Sequence, residues 1–294
     1  MNGEILPADQ AAVSVYDHGL LYGDGVFEGL RFYGGVVFRL EAHLRRLQRS
    51  ARALALDLPY QAGELARAMR EAVGACGAAE GYIRLVITRG PGALGIDPRS
   101  CGRANVFVLV DQLTVVDPAV RQQGARLVLS SLRRLGPDGL DPRIKSLNYL
   151  NQILARIEAN QVGADEAVLL NEAGYIAEGT VDNLFIVEDG VLATPPVSDG
   201  ALDGITRGAV LEVAAELGVP TVERHLAAYD LYNADECFLT GTGAELIPVG
   251  SIGQRRVGID ERPVFERLQA GFADLVGRET QREQAGVEGD VVLA

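Results

Sequence analysis

The sequence predicts a mixed α/β (α+β) protein built in two parts, and three observations carry that prediction. Strand-like and helix-like periodicities alternate along the chain, and no repeat is visible. A stretch without aromatics, QLTVVDPAV, interrupts the pattern near residues 112–120. A length of 294 residues with 48% hydrophobic composition is enough to bury a large core.

The first part is expected over residues 1–113. VSVYDHGLLYGDGVFEGLRFYGG mixes Gly and aromatics with short apolar runs, and Leu44, Leu47, Ala51 and Leu54 then recur at helical spacing. YIRLVIT (82–88) and NVFVLV (105–110) read as strands. A linker is placed at 114–120 and the second part at 121–294. There ARLVLSSL is a strand, and residues 146–160 give the clearest helix, with Leu147, Leu150, Leu154 and Ile157 on one face expected to pack in the core. AVLL, YIAE, LFIV and VLA follow as short strands joined by hairpins at NEAG and EDG. A helix over 206–217 stops at Gly218 with Pro220 beyond, and ECFL runs into TGTGAE. The tail TQREQAGVEGDVVLA is polar enough to stay disordered.

A net charge of -13 argues against nucleic acid and anionic lipid as partners and leaves small molecules. No apolar run approaches the ~18 residues of a membrane span, and MNGEILPADQ has no signal-peptide pattern, so a cytoplasmic protein is expected. Cys76, Cys101 and Cys237 are far apart, and His18, His43 and His225 lie on different elements, so neither a disulfide framework nor a metal site is expected. His18 and His43 read as structural hydrogen-bonders.

Of the 27 basic residues, 26 are arginine and one, Lys145, is lysine. Arginine cannot condense with a carbonyl, whereas a deprotonated lysine amine can form an imine. Set against the reading of Lys145 as an ordinary solvated lysine are its neighbours, which match what pyridoxal 5'-phosphate (PLP) asks of a protein. With a helix beginning near Lys145, Tyr149 lies at i+4 on the same face, where its phenol could meet the 3'-oxygen. Glu178 ends the strand in YIAEG, placed to pair with the pyridine nitrogen unless it is a surface glutamate at a turn. Ile205 and Thr206 in GITRG open a helix whose N–H groups suit a phosphate, and TGTG (240–243) offers a second turn with the Thr242 hydroxyl.

These segments, in this order, resemble the class IV (D-alanine/branched-chain type) aminotransferases of PLP fold type IV. The likeness covers residues 3 to about 260 through VYDHGLLYGDGVFEGLR, HLRRL, YIRLVITRG, RIKSLNYLNQILARIEA, NEAGYIAEGTVDNLFIV, TPPVSDGALDGITR and ECFLTGTGAELIPV. It implies a small α/β N-terminal domain and a larger C-terminal domain with barrel-like β structure. It makes Lys145 the Schiff-base lysine, Glu178 the partner of the pyridine nitrogen and Tyr149 that of the 3'-oxygen. Arg46, Ile205, Thr206 and Thr242 would hold the phosphate, and Leu202 would pack on the ring. The YIR at Tyr82–Arg84 is similar to the branched-chain version. In that version Tyr82 and the N–H groups of Thr242 and Gly243 take the α-carboxylate, while Tyr22, Phe27 and Arg84 line the side-chain pocket. Three features depart from it: no aromatic between Val108 and Asn148, Gly243 where alanine is frequent, and Val181 where a small residue is usual.

The expected activity is transamination between an L-amino acid, Leu, Ile or Val, and 2-oxoglutarate, in a homodimer or higher homo-oligomer. D-amino acid or (R)-amine transamination and aminodeoxychorismate lysis are the alternatives on the same fold. From other classes, a phosphate-binding protein without catalysis would explain the Gly/Thr turns but neither Lys145 nor Glu178. A dinucleotide-binding dehydrogenase would use GPGALG at Gly90–Gly95 with Asp111, but the intervening IDPRSCGR is too short for a crossover helix. A Ser/His/Asp hydrolase would need a GxSxG elbow, which is missing.

Overall fold

A computed structural model describes residues 1–112, 117–258 and 261–291, the last six by their backbone alone. The chain divides into two units: one of Met1–Leu113, Ile144–Asn148 and Arg278–Ala294, the other of Thr114–Arg143 and Tyr149–Gly277. No described helix is long and apolar enough to cross a membrane.

In the first unit, a short helix α1 (His18–Tyr22) leads into β1 (Gly25–Tyr33), which lies between β2 (Val36–Val37) and β3 (Glu80–Thr88); β4 (Asn105–Asp111) completes an antiparallel sheet. Strand alternation sends Val26, Leu30 and Phe32, with Ile83, Leu85 and Ile87, to one face, all at 0% exposure. There α2 (Leu40–Ala53) and α3 (Ala62–Cys76) add Leu40, Leu44, Leu47, Leu65, Met69 and Val73 to one core. The α2 residues recur at spacings of four and three, the stripe of a half-buried helix. The opposite face carries Phe27, Gly29 and Arg31, and across from them Val86, Arg84 and Tyr82. That face carries three of the substrate candidates, Phe27, Tyr82 and Arg84.

In the second unit, α4 (Pro118–Gln123), β5 (Ala125–Arg133), α5 (Pro137–Leu140), α6 (Leu150–Gln161), β6 (Glu166–Leu170) and β7 (Ile176–Gly179) come first. Next are β8 (Asn183–Glu188), β9 (Val191–Thr194), α7 (Ile205–Glu216), β10 (Thr221–Glu223) and α8 (Ala228–Asn233). Strands β11 (Glu236–Gly241), β12 (Glu245–Ile252) and β13 (Arg255–Arg256) precede the last helix, α9 (Pro263–Val291). The strands run β10-β9-β8-β11-β12-β5-β6-β7 with β13 beside β12, a nine-stranded sheet that supplies the half-barrel expected of the larger part. The β8–β9 hairpin turns on Asp189 and Gly190, both left-handed at φ 49° and 75°, which is why the sequence reads EDG. Phe185 and Phe238 stack across β8 and β11 at 5.1 Å. Buried Glu236 caps α9 by accepting from the N–H groups of Val264 and Phe265 at 3.0 and 2.7 Å.

Several expectations change. The helix expected over 146–160 begins at Leu150, because residues 144–148 are pulled into the ladder of β1: Ser146 bridges to Val26, and the Leu147 N–H donates to Gly25 O at 3.0 Å. Its apolar stripe is not core. Leu150, Ile153, Leu154 and Ile157 are 44–66% exposed, whereas Gln152, Ala155 and Ala159 form the buried face. Small residues let α6 lie close on β5 and β6, which leaves the leucine side outward. The hairpins expected at NEAG and EDG are present, joining β6 to β7 and β8 to β9 in antiparallel pairs. Residues 280–291, expected as disordered tail, continue α9, whose residues from Arg278 on belong to the first unit; within that unit Glu279, Glu283 and Gln284 bond Arg39, Arg70 and Gly34 O. Of the expected linker, 114–116 lies outside the described residues, and α4 begins at Pro118 with the Asp117 carboxylate accepting from the Ala119 N–H at 2.8 Å.

Candidate active site

The sole lysine sits in an extended segment stitched along the start of β1. The Lys145 carbonyl accepts from the Phe27 N–H at 3.0 Å, and its own N–H donates to Ser50 Oγ of α2 at 3.1 Å. Asn148 ties the far end to Gly23 O at 2.9 Å. The ammonium nitrogen lies 4.7 Å from the Phe27 ring centroid. Arg84 lies over the same ring at 4.5 Å and over Tyr82 at 5.6 Å. Four of the expected residues, Lys145, Phe27, Tyr82 and Arg84, are therefore neighbours, and all but Lys145 share one sheet face. Burial pushes the Tyr82 phenol upward against the opposing pull of Arg84, so it is a neutral hydrogen-bonding group.

Arg46, one helical turn before Ser50, is held by a group the sequence reading missed. Glu28, with no exposure, accepts from Arg46 Nε and Nη2 at 2.8 and 2.6 Å and pairs with His43 Nδ1 at 2.7 Å. Burial alone would raise this carboxyl, but the Arg46 guanidinium and the His43 hydrogen bond bring it down to about 2. His43 is lowered by its own burial and stays neutral near pH 7. The signal for Glu28 was its position: it has the parity of Val26 and Leu30, the core face, where a carboxylate needs partners. Tyr22, at the end of α1, is held by its own neighbours. Its hydroxyl accepts from the Gly95 N–H at 2.8 Å, and its ring meets His18 edge-on at 4.9 Å.

The second unit holds the remaining candidates. Glu178, buried on β7, accepts at Oε1 from Arg134 Nε at 2.9 Å and at Oε2 from the Leu202 N–H at 2.8 Å. With its amide oxygen turned to the guanidinium, Gln152 accepts from Arg134 Nη1 and Nη2 at 3.0 and 3.1 Å. Glu178 is thus a fixed interior carboxylate, not a surface glutamate at a turn. Tyr149 does not share a helical face with Lys145; it is the N-cap residue of α6, its carbonyl accepting from the Ile153 N–H at 2.9 Å. Ile205 and buried Thr206 open α7, whose N-cap Gly204 supplies no side-chain cap for the first amide donors. Thr242 and Gly243 form the β11–β12 turn. Val181 is 64% exposed at the tip after β7, where its size meets no packing limit. Arg134, Gln152 and Asn183 also escaped the sequence reading; a second arginine in SLRR and the asparagine of VDN carry no local sign of their contacts.

The donor set fits PLP. An uncapped helix start suits its phosphate. Directly across β8 and β11 from Asn183, the buried Thr240 hydroxyl has no partner among the described residues, a second donor of the kind an anion accepts from. A lysine amine and a rigidly held carboxylate complete the demands. Among the described residues no cluster suited to a metal ion is present.

Comparison with known proteins agrees. The model of the class IV amino-transferase family matches residues 25–252. A protein of Methanocaldococcus jannaschii assigned as a branched-chain-amino-acid aminotransferase is 46% identical over 276 residues, 94% of this chain and 95% of the relative. The crystal structure of the Escherichia coli branched-chain amino acid aminotransferase superposes with a TM-score of 0.91 at 36% identity, covering 94% of this chain and 93% of that one. A second crystal structure, a T.th. branched-chain amino acid aminotransferase complexed with N-(5'-phosphopyridoxyl)-L-glutamate, gives 0.89 at 39% identity, covering 96% and 93%. With a lone lysine tied to β1, a buried carboxylate and an uncapped helix start already in place, these likenesses settle the family: the chain belongs to the class IV aminotransferases and is a PLP-dependent transaminase.

Proposed function

We propose that the protein moves the amino group of a branched-chain L-amino acid to 2-oxoglutarate, giving the 2-oxo acid and L-glutamate. The observation that carries this reading is the Phe27–Tyr82–Arg84 cluster, in which an aromatic wall and a guanidinium lie within 4.5–5.6 Å on one sheet face. An aliphatic side chain needs the wall, and the γ-carboxylate of glutamate needs the charge. The names of the relatives support the amino donor, and the phosphopyridoxyl-glutamate held by the T.th. enzyme supports glutamate as the second partner.

In this reading Lys145 would hold the cofactor, and its amine, set free when the substrate amine takes its place, would move the Cα proton of the substrate. Bound PLP supplies an electron sink for the charge left on that carbon. Glu178 keeps a proton on the pyridine nitrogen; with one oxygen taken by Arg134 and the other by the Leu202 N–H, its carboxylate cannot rotate away from that task. Tyr149 meets the 3'-oxygen and Leu202 packs on the ring. Arg46, its plane fixed by Glu28, joins Ile205, Thr206 and Thr242 at the phosphate. Tyr82 and the N–H groups of Thr242 and Gly243 take the α-carboxylate, and Tyr22 extends the side-chain pocket. The exposed leucine side of α6 supports a homodimer or higher homo-oligomer, and the absence of a membrane-spanning helix among the described residues fits a cytoplasmic enzyme.

The test is a substrate panel of both enantiomers of Leu, Ile, Val and Ala and an (R)-amine, each against 2-oxoglutarate. Branched L-amino acids are expected to give the highest kcat/KM. Preference for a D-amino acid or the amine would reject the donor assignment and leave the family intact.

A further inference from the structure

One dipeptide in the second unit touches both Gly-rich turns. Asn183, the first residue of β8, donates from Nδ2 to Leu202 O at 2.9 Å. Its Oδ1 occupies the place a Cβ on Gly204 would take, so Gly204 can only be glycine while Asn183 stands there. The neighbouring Asp182 fills the equivalent place at Gly241 with its own Oδ1. On the other side of the same peptide stretch, the Leu202 N–H is held by Glu178 Oε2 at 2.8 Å. Leu202 is thus clamped at both backbone polar groups, one by the carboxylate assigned to the pyridine nitrogen and one by Asn183. Two residues further on, Gly204 is the N-cap of α7.

We infer that Asn183 is a positioning residue for the cofactor's phosphate: it braces Leu202 and Gly204, and so aims the opening N–H groups of α7. This rests on the reading that Ile205 and Thr206 receive the phosphate. A helix start binds an anion in proportion to how well its free N–H groups converge. Here the N-cap Gly204 has no side chain to fix that convergence, and Asn183 stands against it from β8. The brace also explains why the acid and the phosphate turn lie on one continuous set of contacts, Glu178 to Leu202 to Asn183 to Gly204. An asparagine with only a folding role would stabilise the turn without distinguishing a phosphorylated ligand from one that lacks the phosphate.

The experiment compares binding of PLP and of pyridoxal, which has no phosphate, to the full-length protein after cofactor removal. Cofactor absorbance and visible circular dichroism report binding, since the chain has no tryptophan to quench. Asn183→Ala removes the brace. Asn183→Asp keeps its shape but replaces the donor facing Leu202 O with an acceptor, and it covers the case in which the alanine variant fails to fold. Both are expected to weaken PLP about tenfold or more, the scale of a lost interior hydrogen bond and its geometry, and pyridoxal by less than about threefold. The preference for PLP over pyridoxal would then collapse while thermal unfolding stays cooperative. Equal weakening of both ligands, or no change in either, would overturn the positioning role and leave the phosphate reading standing. A wild-type protein that binds both ligands equally would instead reject the phosphate reading, and this inference with it.

Discussion

Glu28 shows what one interior charge demands. Its carboxyl, held near 2 by Arg46 and His43 against the cost of burial, has a folded value below its unfolded one, so its stabilisation is complete above about pH 4.5 and is lost as the pH falls towards 2. A shift of that size corresponds to roughly 3 kcal/mol at 1.36 kcal/mol per pH unit. Glu28→Gln removes the carboxylate charge that pairs with the buried Arg46 guanidinium and should cost about 3–5 kcal/mol near neutrality in the cofactor-free protein. In urea unfolding, the gap between wild type and variant should therefore be widest near pH 7 and narrow below pH 4.5. A gap that stays constant down to pH 2 would show that Glu28 is not the ionised partner. The substrate face makes a second residue-scale prediction. Arg84→Met keeps much of the side-chain volume but removes the charge-assisted bonds proposed for the γ-carboxylate, worth about 1.5–3 kcal/mol. Single-turnover kcat/KM should fall roughly 10- to 150-fold with 2-oxoglutarate and far less with leucine. Equal losses in both half-reactions would make Arg84 structural or move it to the α-carboxylate.

At the scale of elements, β1 and α6 show where pattern in the sequence suffices and where it does not. β3, β4, β5 and α7 lie where their apolar runs and stop signals put them, since Gly218 and Pro220 end α7 by backbone geometry that needs no tertiary partner. The segment around Lys145 reads as the first turn of a helix because IKSLNYL has no proline or glycine to forbid one. What decides its conformation is pairing with β1, some 120 residues earlier, and local propensity is silent about that. Lys145 and Glu178 nevertheless stand out in the sequence, because a unique lysine and a strand-end carboxylate are chemical signals; Glu28 left only its place on the core side of β1, and Arg134 and Asn183, whose partners are distant in sequence, left no sign. The outward face of α6 carries a prediction of its own. Leu154→Glu together with Ile157→Glu should change stability by less than about 1 kcal/mol in a monomer, because both side chains are exposed on the isolated chain. By light scattering the same pair should lower the mass of the assembly. An unchanged mass would exclude this face as the contact between copies.

The whole molecule combines an excess of acid with arginine used for nearly every positive charge. That combination makes the chemistry readable in one step, because a reagent that fixes an imine between PLP and a lysine has a single side chain to mark. Borohydride reduction of the yellow holoenzyme, followed by peptide mapping, tests the central claim that this is a PLP enzyme working through Lys145. One pyridoxyl group on the peptide containing Lys145, with the loss of the visible absorbance band, is the predicted result. A colourless protein that stays unlabelled in excess PLP, or a label confined to the N-terminal amine, would contradict it.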